Sequence, residues 1–64
     1  MDVVRVSELV GESSHNWNHA VQNAVKEASQ TIENITGVEV YNLTAAVKNG
    51  QLCEYKANVK IAYK

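Results

Sequence analysis

The sequence predicts an α+β fold in which a single domain, residues 1–64, has the order strand, helix, strand, strand. Two patterns lead to this prediction. Residues 52–64 alternate between apolar and polar side chains, which is typical of a strand with one buried face. Residues 15–35 repeat apolar side chains at spacings of three and four, which is typical of an amphipathic helix. A three-stranded antiparallel sheet packed on one long helix accounts for both.

The first strand is predicted at residues 2–10, where valines fall on both faces. Gly11 is expected to end it. Ser13 and Ser14 follow as candidate helix caps, since a serine hydroxyl can accept a hydrogen bond from a free amide of the first turn.

The helix is predicted from His15 to Ile35, with a length of about 31 Å. Gly37 is expected to stop it, because glycine is common just beyond a helix end. The stripe expected to face the sheet is apolar and rich in alanine, which favours a close approach: Trp17, Ala20, Val21, Ala24, Val25, Ala28, Ile32 and Ile35.

The last two strands are predicted at residues 38–47 and 52–64, joined by a turn at residues 48–51. Asn49-Gly50 within this turn tolerates the positive φ angles of a tight hairpin. A right-handed crossover between the first two strands leaves a gap that the third strand fills, antiparallel to both. The predicted strand order is therefore 1-3-2, with two open outer edges.

The composition indicates a thin core. The chain has ten valines, seven alanines, no Phe and one Trp, and a chain of this size buries only about 60% of its unfolded surface. The third strand would be about 43 Å long, longer than so small a domain can cover. Other copies of the chain are expected to cover it. Cys53 falls on the apolar face and is expected to be a plain core thiol.

Charge and motifs exclude several function classes. A net charge of −1 argues against nucleic-acid and anionic-membrane partners, which normally require a basic patch. The sequence has neither a signal peptide nor an apolar run of membrane-spanning length, so the protein is expected in the cytoplasm. It also lacks a nucleophile with a base, a paired carboxylate or a phosphate-binding glycine loop, so no enzyme activity is expected.

Two pairs of side chains are candidate metal ligands. His15 and His19 are four residues apart, close enough to hold one ion, with Glu12 just before them. Glu39 and Glu54 are both predicted on the outer face of the sheet, where carboxylates repeated around a symmetry axis suit Ca²⁺. The alternative for each pair is a set of solvated or salt-bridged side chains.

The whole chain resembles the dodecins. The similarity rests on Glu-Leu-Val-Gly-Glu-Ser-Ser at the end of the first strand, Ala-Val-Gln-Asn-Ala-Val in the helix, Thr-Ile-Glu-Asn after it, the Val-Glu-Val strand and the ending Val-Lys-Ile-Ala-Tyr. Their order and spacing are more specific than any one motif. The resemblance implies a β-α-β-β subunit in a hollow homododecamer.

Dodecins are best known for storing flavins such as riboflavin or FMN, stacked in pairs between subunits. The family's flavin site uses a Trp just after the helix and a Gln on the last strand. By resemblance these positions fall on Gly37 and Lys56, so flavin binding is doubtful here. Trp17 does not replace the missing ring, because it lies on the helix. The segment Ser13 to Trp17 is closer to a flavin-free branch that includes calcium dodecins.

Three functions follow from these observations. The first is a non-enzymatic homododecameric shell that binds, stores or sequesters a small ligand or an ion, with Ca²⁺ as a candidate. The second is a flavin-storage dodecin that uses an unusual pocket. The third is a structural or partner-binding shell without a small ligand.

Overall fold

The computed structural model describes residues 3–64 and contains β1 (Arg5–Ser13), α1 (Trp17–Ala28), β2 (Ile35–Lys48) and β3 (Gln51–Tyr63). The strands form one antiparallel sheet in the order β1-β3-β2. The predicted fold class, element order and central third strand are confirmed. The subunit is elongated, with extents of 52 × 20 × 13 Å.

β1 continues past Gly11, so the predicted strand end at this residue is wrong. Gly11 pairs with Ala57 of β3, and the strand ends at Ser13. A Cβ atom at Gly11 would overlap the carbonyl oxygen of Ala20 and lie 2.9 Å from the Cβ of Ala24. The glycine therefore allows α1 to pack closely against the C-terminal part of β1. Residue 2, the predicted start of this strand, lies outside the described residues.

Asn16 caps α1, and the predicted caps Ser13 and Ser14 do not. Asn16 Oδ1 accepts a hydrogen bond from the backbone N–H of His19 at 2.7 Å. Ser13 lies one step earlier, where its Oγ accepts a hydrogen bond from the backbone N–H of His15 at 2.9 Å. The serine thus shapes the turn that precedes the helix.

The predicted helix end at Ile35 is also wrong, since α1 has 12 residues and ends at Ala28, which makes it about 18 Å long. The backbone N–H of Ile32 bonds back to the carbonyl of Ala28 at 2.9 Å, and Asn34, at φ 61°, turns the chain into β2. Gly37 lies within β2 and does not stop the helix. Ile32 and Ile35 still pack against the core, which explains their helix-like spacing.

The hairpin is confirmed. Lys48 pairs with Gln51, and Asn49 and Gly50 between them have φ angles of 53° and 75°. Positive φ at both central residues is the conformation of a type I′ turn, whose twist matches that of the flanking strands.

The core lies between α1 and the helix side of β3. On β3 the predicted alternation holds, because every second residue in its middle is fully buried. With three alanines of α1 they form the core: Ala20, Ala24, Ala28, Ala57, Val59 and Ile61. Small helix residues let the backbone of α1 come close to the sheet.

α1 covers β1 and β3 but barely touches β2. Val38, Val40 and Leu43 of β2 stand opposite the three buried residues of β3, so they share the helix side of the sheet. Their exposed fractions are nevertheless 42%, 41% and 49%. Val6 and Val10 of β1, on the other side, are also exposed, so residues 3–64 of one chain do not bury both valine-bearing faces of β1. Among residues 3–64 no helix is long and apolar enough to cross a membrane.

Candidate functional site

The candidate site is the open face of the sheet, which we define as the side away from α1. Paired residues on neighbouring strands point to the same side, so the register identifies its members. They are Val6, Glu8, Val10 and Glu12 on β1, Lys56, Asn58, Lys60 and Ala62 on β3, and Gly37, Glu39, Asn42 and Thr44 on β2. No helix or strand within residues 3–64 covers them.

Gly37 and Lys56, the positions implied for a flavin site, both lie on the open face but do not meet. Gly37 stands opposite Ala62, which is six residues along β3 from Lys56, a distance of about 20 Å. Apart from Gly37 and its two chain neighbours, no residue of the described chain has a heavy atom within 4 Å of the point where a Gly37 side chain would begin. Within one chain, therefore, these positions cannot contact the same ligand.

Lys56 has an anionic neighbour on β1. Its Nζ lies 3.8 Å from Oε1 of Glu12, and both side chains are at least half exposed. Such an exposed ion pair contributes little to stability, but it places two opposite charges, Lys56 and Glu12, at the implied flavin position. The environment is therefore more polar than an aromatic ligand requires.

Tyr41 is the aromatic side chain that sequence reasoning missed. It is the extra residue of a β-bulge between Val40 and Asn42, and its ring lies 5.3 Å from Nζ of Lys60. This distance suits a cation–π contact. Alternation alone could not place Tyr41, because the bulge shifts the pattern by one residue.

Glu39 and Glu54 do not converge within one chain. Glu39 stands opposite Lys60, six residues along β3 from Glu54 and about 20 Å away. Glu54 is exposed and adopts a φ of 50° at a second bulge, which faces the segment between Thr44 and Ala46. Ca²⁺ requires six to eight oxygen ligands, and residues 3–64 contain no group of three or more potential metal-ligating side chains.

His15 and His19 do come together, at the turn before α1. Their ring centroids are 5.3 Å apart, and Nδ1 of His19 lies 2.7 Å from Oγ of Ser13. Both histidines are exposed. Glu12, the third member of the predicted cluster, points to the open face beside Lys56 and does not join them.

Trp17 packs within the chain on the helix side. Its Nε1 donates a hydrogen bond to the carbonyl of Thr44 at 2.8 Å, and its ring meets the ring of Tyr55 edge to face, with centroids 5.0 Å apart. This packing role matches the one predicted. Cys53 is a free, half-buried thiol.

An open cleft of about 460 Å³ lies at the far end of the subunit, between the loop after α1 and the end of β3. Its volume falls in the range of ligand pockets. None of the side chains predicted from the sequence as ligands lines it. The lining residues are Thr31, Ile32, Glu33, Asn34, Tyr63 and Lys64.

Comparison with known proteins gives consistent matches. Residues 3–64 match the family model described as Dodecin. The dodecin of Streptomyces coelicolor is 33% identical with a TM-score of 0.90, over 95% of this chain and 87% of that chain. The dodecin from Streptomyces davaonensis is 28% identical with a TM-score of 0.89, over 95% and 90%. A search of curated proteins found no significant match.

A calcium dodecin of Mycobacterium tuberculosis, described as a calcium-chelating antigen with a novel calcium-binding site, is 24% identical. Its TM-score is 0.84, and the match covers 98% of this chain and 90% of that chain. At this identity the likeness concerns the fold alone. The family model, in contrast, spans nearly every residue. The chain therefore belongs to the dodecin family.

Proposed function

We propose that this protein is a non-enzymatic dodecin that assembles into a homododecameric shell and binds, stores or sequesters a small ligand or an ion. The observation that carries the proposal is the uncovered helix side of β2. Val38, Val40 and Leu43 continue the apolar surface of the core, yet each is more than two-fifths exposed. A folded chain that leaves this apolar surface exposed requires other copies of the chain to cover it.

The lengths of the elements support the assembly. α1 has 12 residues and β2 has 14, so the helix spans about 18 Å and the strand about 46 Å. Ten large hydrophobic side chains among residues 3–64 are exposed, whereas soluble monomers rarely expose large contiguous apolar patches. In the described part of the chain, no strand pairs with the outer edges of β1 and β2, which favours pairing or packing between copies.

The open face supports a ligand site that forms only between copies. Gly37 and Lys56 are about 20 Å apart in one chain, and so are Glu39 and Glu54. Symmetry repeats each side chain, so residues from different copies can meet around an axis. Any site that uses both members of either pair is therefore composite.

An ion is favoured over flavin as the ligand of a site shared between copies. Gly37 offers no ring for stacking, and Lys56 lies beside Glu12 where an uncharged amide would be needed. Glu39 and Glu54 supply the hard oxygen ligands that Ca²⁺ prefers. These carboxylates suit calcium only when copies contribute them jointly, since residues 3–64 of one chain bring no three potential metal ligands together.

Native mass spectrometry of freshly purified protein tests this function. The expected mass is about 85 kDa, twelve times the 7.1 kDa chain, with additional mass from a bound small molecule or ion. A monomer or dimer at micromolar concentration would contradict the shell. A bare dodecamer that also fails to bind Ca²⁺ or riboflavin in titrations would favour the purely structural shell.

A further inference from the structure

We propose that His15 and His19 form a two-histidine site for a divalent transition-metal ion of the zinc, copper and nickel class. The site lies at the turn between β1 and α1 and is built within one chain. It is independent of the open face, of calcium chemistry and of the proposed composite site. Three observations carry it: the ring separation, the anchoring by Ser13 and the exposure of both imidazoles.

The separation of the two rings fits a shared ion. Zinc binds imidazole nitrogen at about 2.0 to 2.1 Å, which places the metal about 3.2 Å from each ring centroid. At a tetrahedral angle the two centroids are then about 5.2 Å apart. In this structure they are 5.3 Å apart, with the ring planes tilted by 53°. The observed centroid separation therefore matches the one expected for two imidazoles bound to a single ion.

A single buried hydroxyl organises both histidines. Ser13 is 4% exposed, and its Oγ accepts a hydrogen bond from the backbone N–H of His15 at 2.9 Å. The same oxygen lies 2.7 Å from Nδ1 of His19. The turn and the second ring are therefore fixed by the same atom before any ion arrives, which reduces the entropy lost on binding.

The hydrogen bonds of Ser13 identify the coordinating nitrogen of His19. Oγ accepts bonds from the N–H groups of His15 and, at 3.4 Å, Asn16, so its own proton is directed at Nδ1 of His19. Nε2 is the ring nitrogen left to face a metal. When an ion binds there, the ring proton moves to Nδ1 and donates to Ser13, the usual outer support of a ligating histidine. The hydroxyl proton of Ser13 then turns away from Nδ1 and takes the place of the bond from Asn16, which is the longest of the three.

The ligand type selects the class of ion. Imidazole suits zinc, copper and nickel, whereas calcium and magnesium prefer oxygen. Residues 3–64 provide no third ligand at this place, so water completes the coordination. Zinc sites with four protein ligands bind far more tightly than a site with two. If two histidines supply half of that binding free energy, the expected dissociation constant of this site is about 1 to 200 µM.

Isothermal titration of the assembled protein with zinc chloride tests the site. One zinc per chain is expected, and His15→Gln and His19→Gln should each weaken binding at least tenfold. Asn18→Gln, a neutral change on the same exposed turn, is the matched control and should leave the affinity unchanged. The contact between His15 and Ser13 uses the backbone N–H of His15, so His15→Gln retains it. This variant therefore tests the metal site even if His19→Gln disturbs the turn.

Three results would overturn the proposal. The first is no zinc binding at several hundred micromolar, and the second is unchanged affinity in His15→Gln. The third is a stoichiometry below one zinc per chain, which would place the metal between copies.

A further readout separates the role of Ser13 from folding. Ser13→Ala should weaken zinc binding without changing its stoichiometry and should shift the His19 ring-nitrogen resonances in the metal-free protein toward the opposite tautomer.

Discussion

The packing of α1 on β1 depends on the absence of a side chain at Gly11, and Gly11→Ala tests this directly. The added Cβ would overlap the carbonyl oxygen of Ala20 and lie 2.9 Å from both the Ala20 carbonyl carbon and the Cβ of Ala24. Packed carbon atoms normally lie about 3.5 to 4.0 Å apart. The carbon contacts alone would therefore require the helix and strand to separate by about 0.6 to 1.1 Å, and the overlap with the carbonyl oxygen requires still more.

That displacement affects the whole core. The obstacles are backbone atoms and a methyl group, so no flexible side chain can swing aside. A gap of about 0.5 to 1 Å removes a quarter to a half of the dispersion attraction between facing atoms, and overpacking costs about 1 to 3 kcal/mol. We expect the upper end, about 3 kcal/mol, out of a total stability of about 5 to 15 kcal/mol.

Thermal unfolding at one fixed chain concentration measures the effect, since the melting temperature of an assembly depends on concentration. A loss of about 3 kcal/mol lowers the melting temperature by about 12 to 24 °C in a domain of this size. Gly37→Ala is the matched control: no atom lies within 4 Å of its new Cβ, and alanine in a strand should be neutral or stabilise by up to about 1 kcal/mol. Equal melting temperatures for the two variants would refute the tight helix–strand contact.

Three further changes test the strand faces, the bulge and the ligand. Val59 is fully buried, so Val59→Asp should cost several kcal/mol and abolish folded protein. Asn58→Asp on the open face should be tolerated, and equal solubility of the two variants would mean that the faces of β3 are assigned the wrong way round. Glu54 has a φ of 50°, so Glu54→Gly should stabilise by up to about 1 kcal/mol in chemical denaturation, and a loss of stability would argue against the bulge. Riboflavin should keep most of its fluorescence with the unmodified protein and lose it with a Gly37→Trp, Lys56→Gln variant, whereas strong quenching by the unmodified protein would favour flavin storage.

The sequence was sufficient for features that depend on local signals. The alternation along β3 predicts its buried residues, because the middle of this strand is regular and has one covered face. Asn49-Gly50 predicts the hairpin, since few other dipeptides tolerate two positive φ angles. The strand order then follows from the handedness of the crossover.

Features that depend on tertiary packing could not be predicted. Ile32 and Ile35 keep helical spacing because both contact the core, although neither lies in α1. Gly11 looks like a strand end, yet glycine also permits close approach, and only the position of α1 decides between these roles. The bulges at Tyr41 and Glu54 shift the register by one residue, which moves side chains from one face of the sheet to the other.

Ligand binding and assembly should be thermodynamically linked on the open face but not at the turn before α1. The members of each candidate pair, Gly37 with Lys56 and Glu39 with Glu54, are about 20 Å apart in one chain, so a ligand that contacts both residues binds only the assembled state. Such a ligand would oppose dissociation of the proposed shell by about 2.7 kcal/mol when its concentration is a hundredfold above its dissociation constant. A metal ion on His15 and His19 needs only one folded chain and stabilises that chain whether or not it is assembled. Measuring how each ligand changes dissociation of the proposed shell, separately from how it changes unfolding of the chain, therefore distinguishes the two kinds of site. A ligand of a composite site should oppose dissociation, whereas a metal ion on the two histidines should oppose only unfolding.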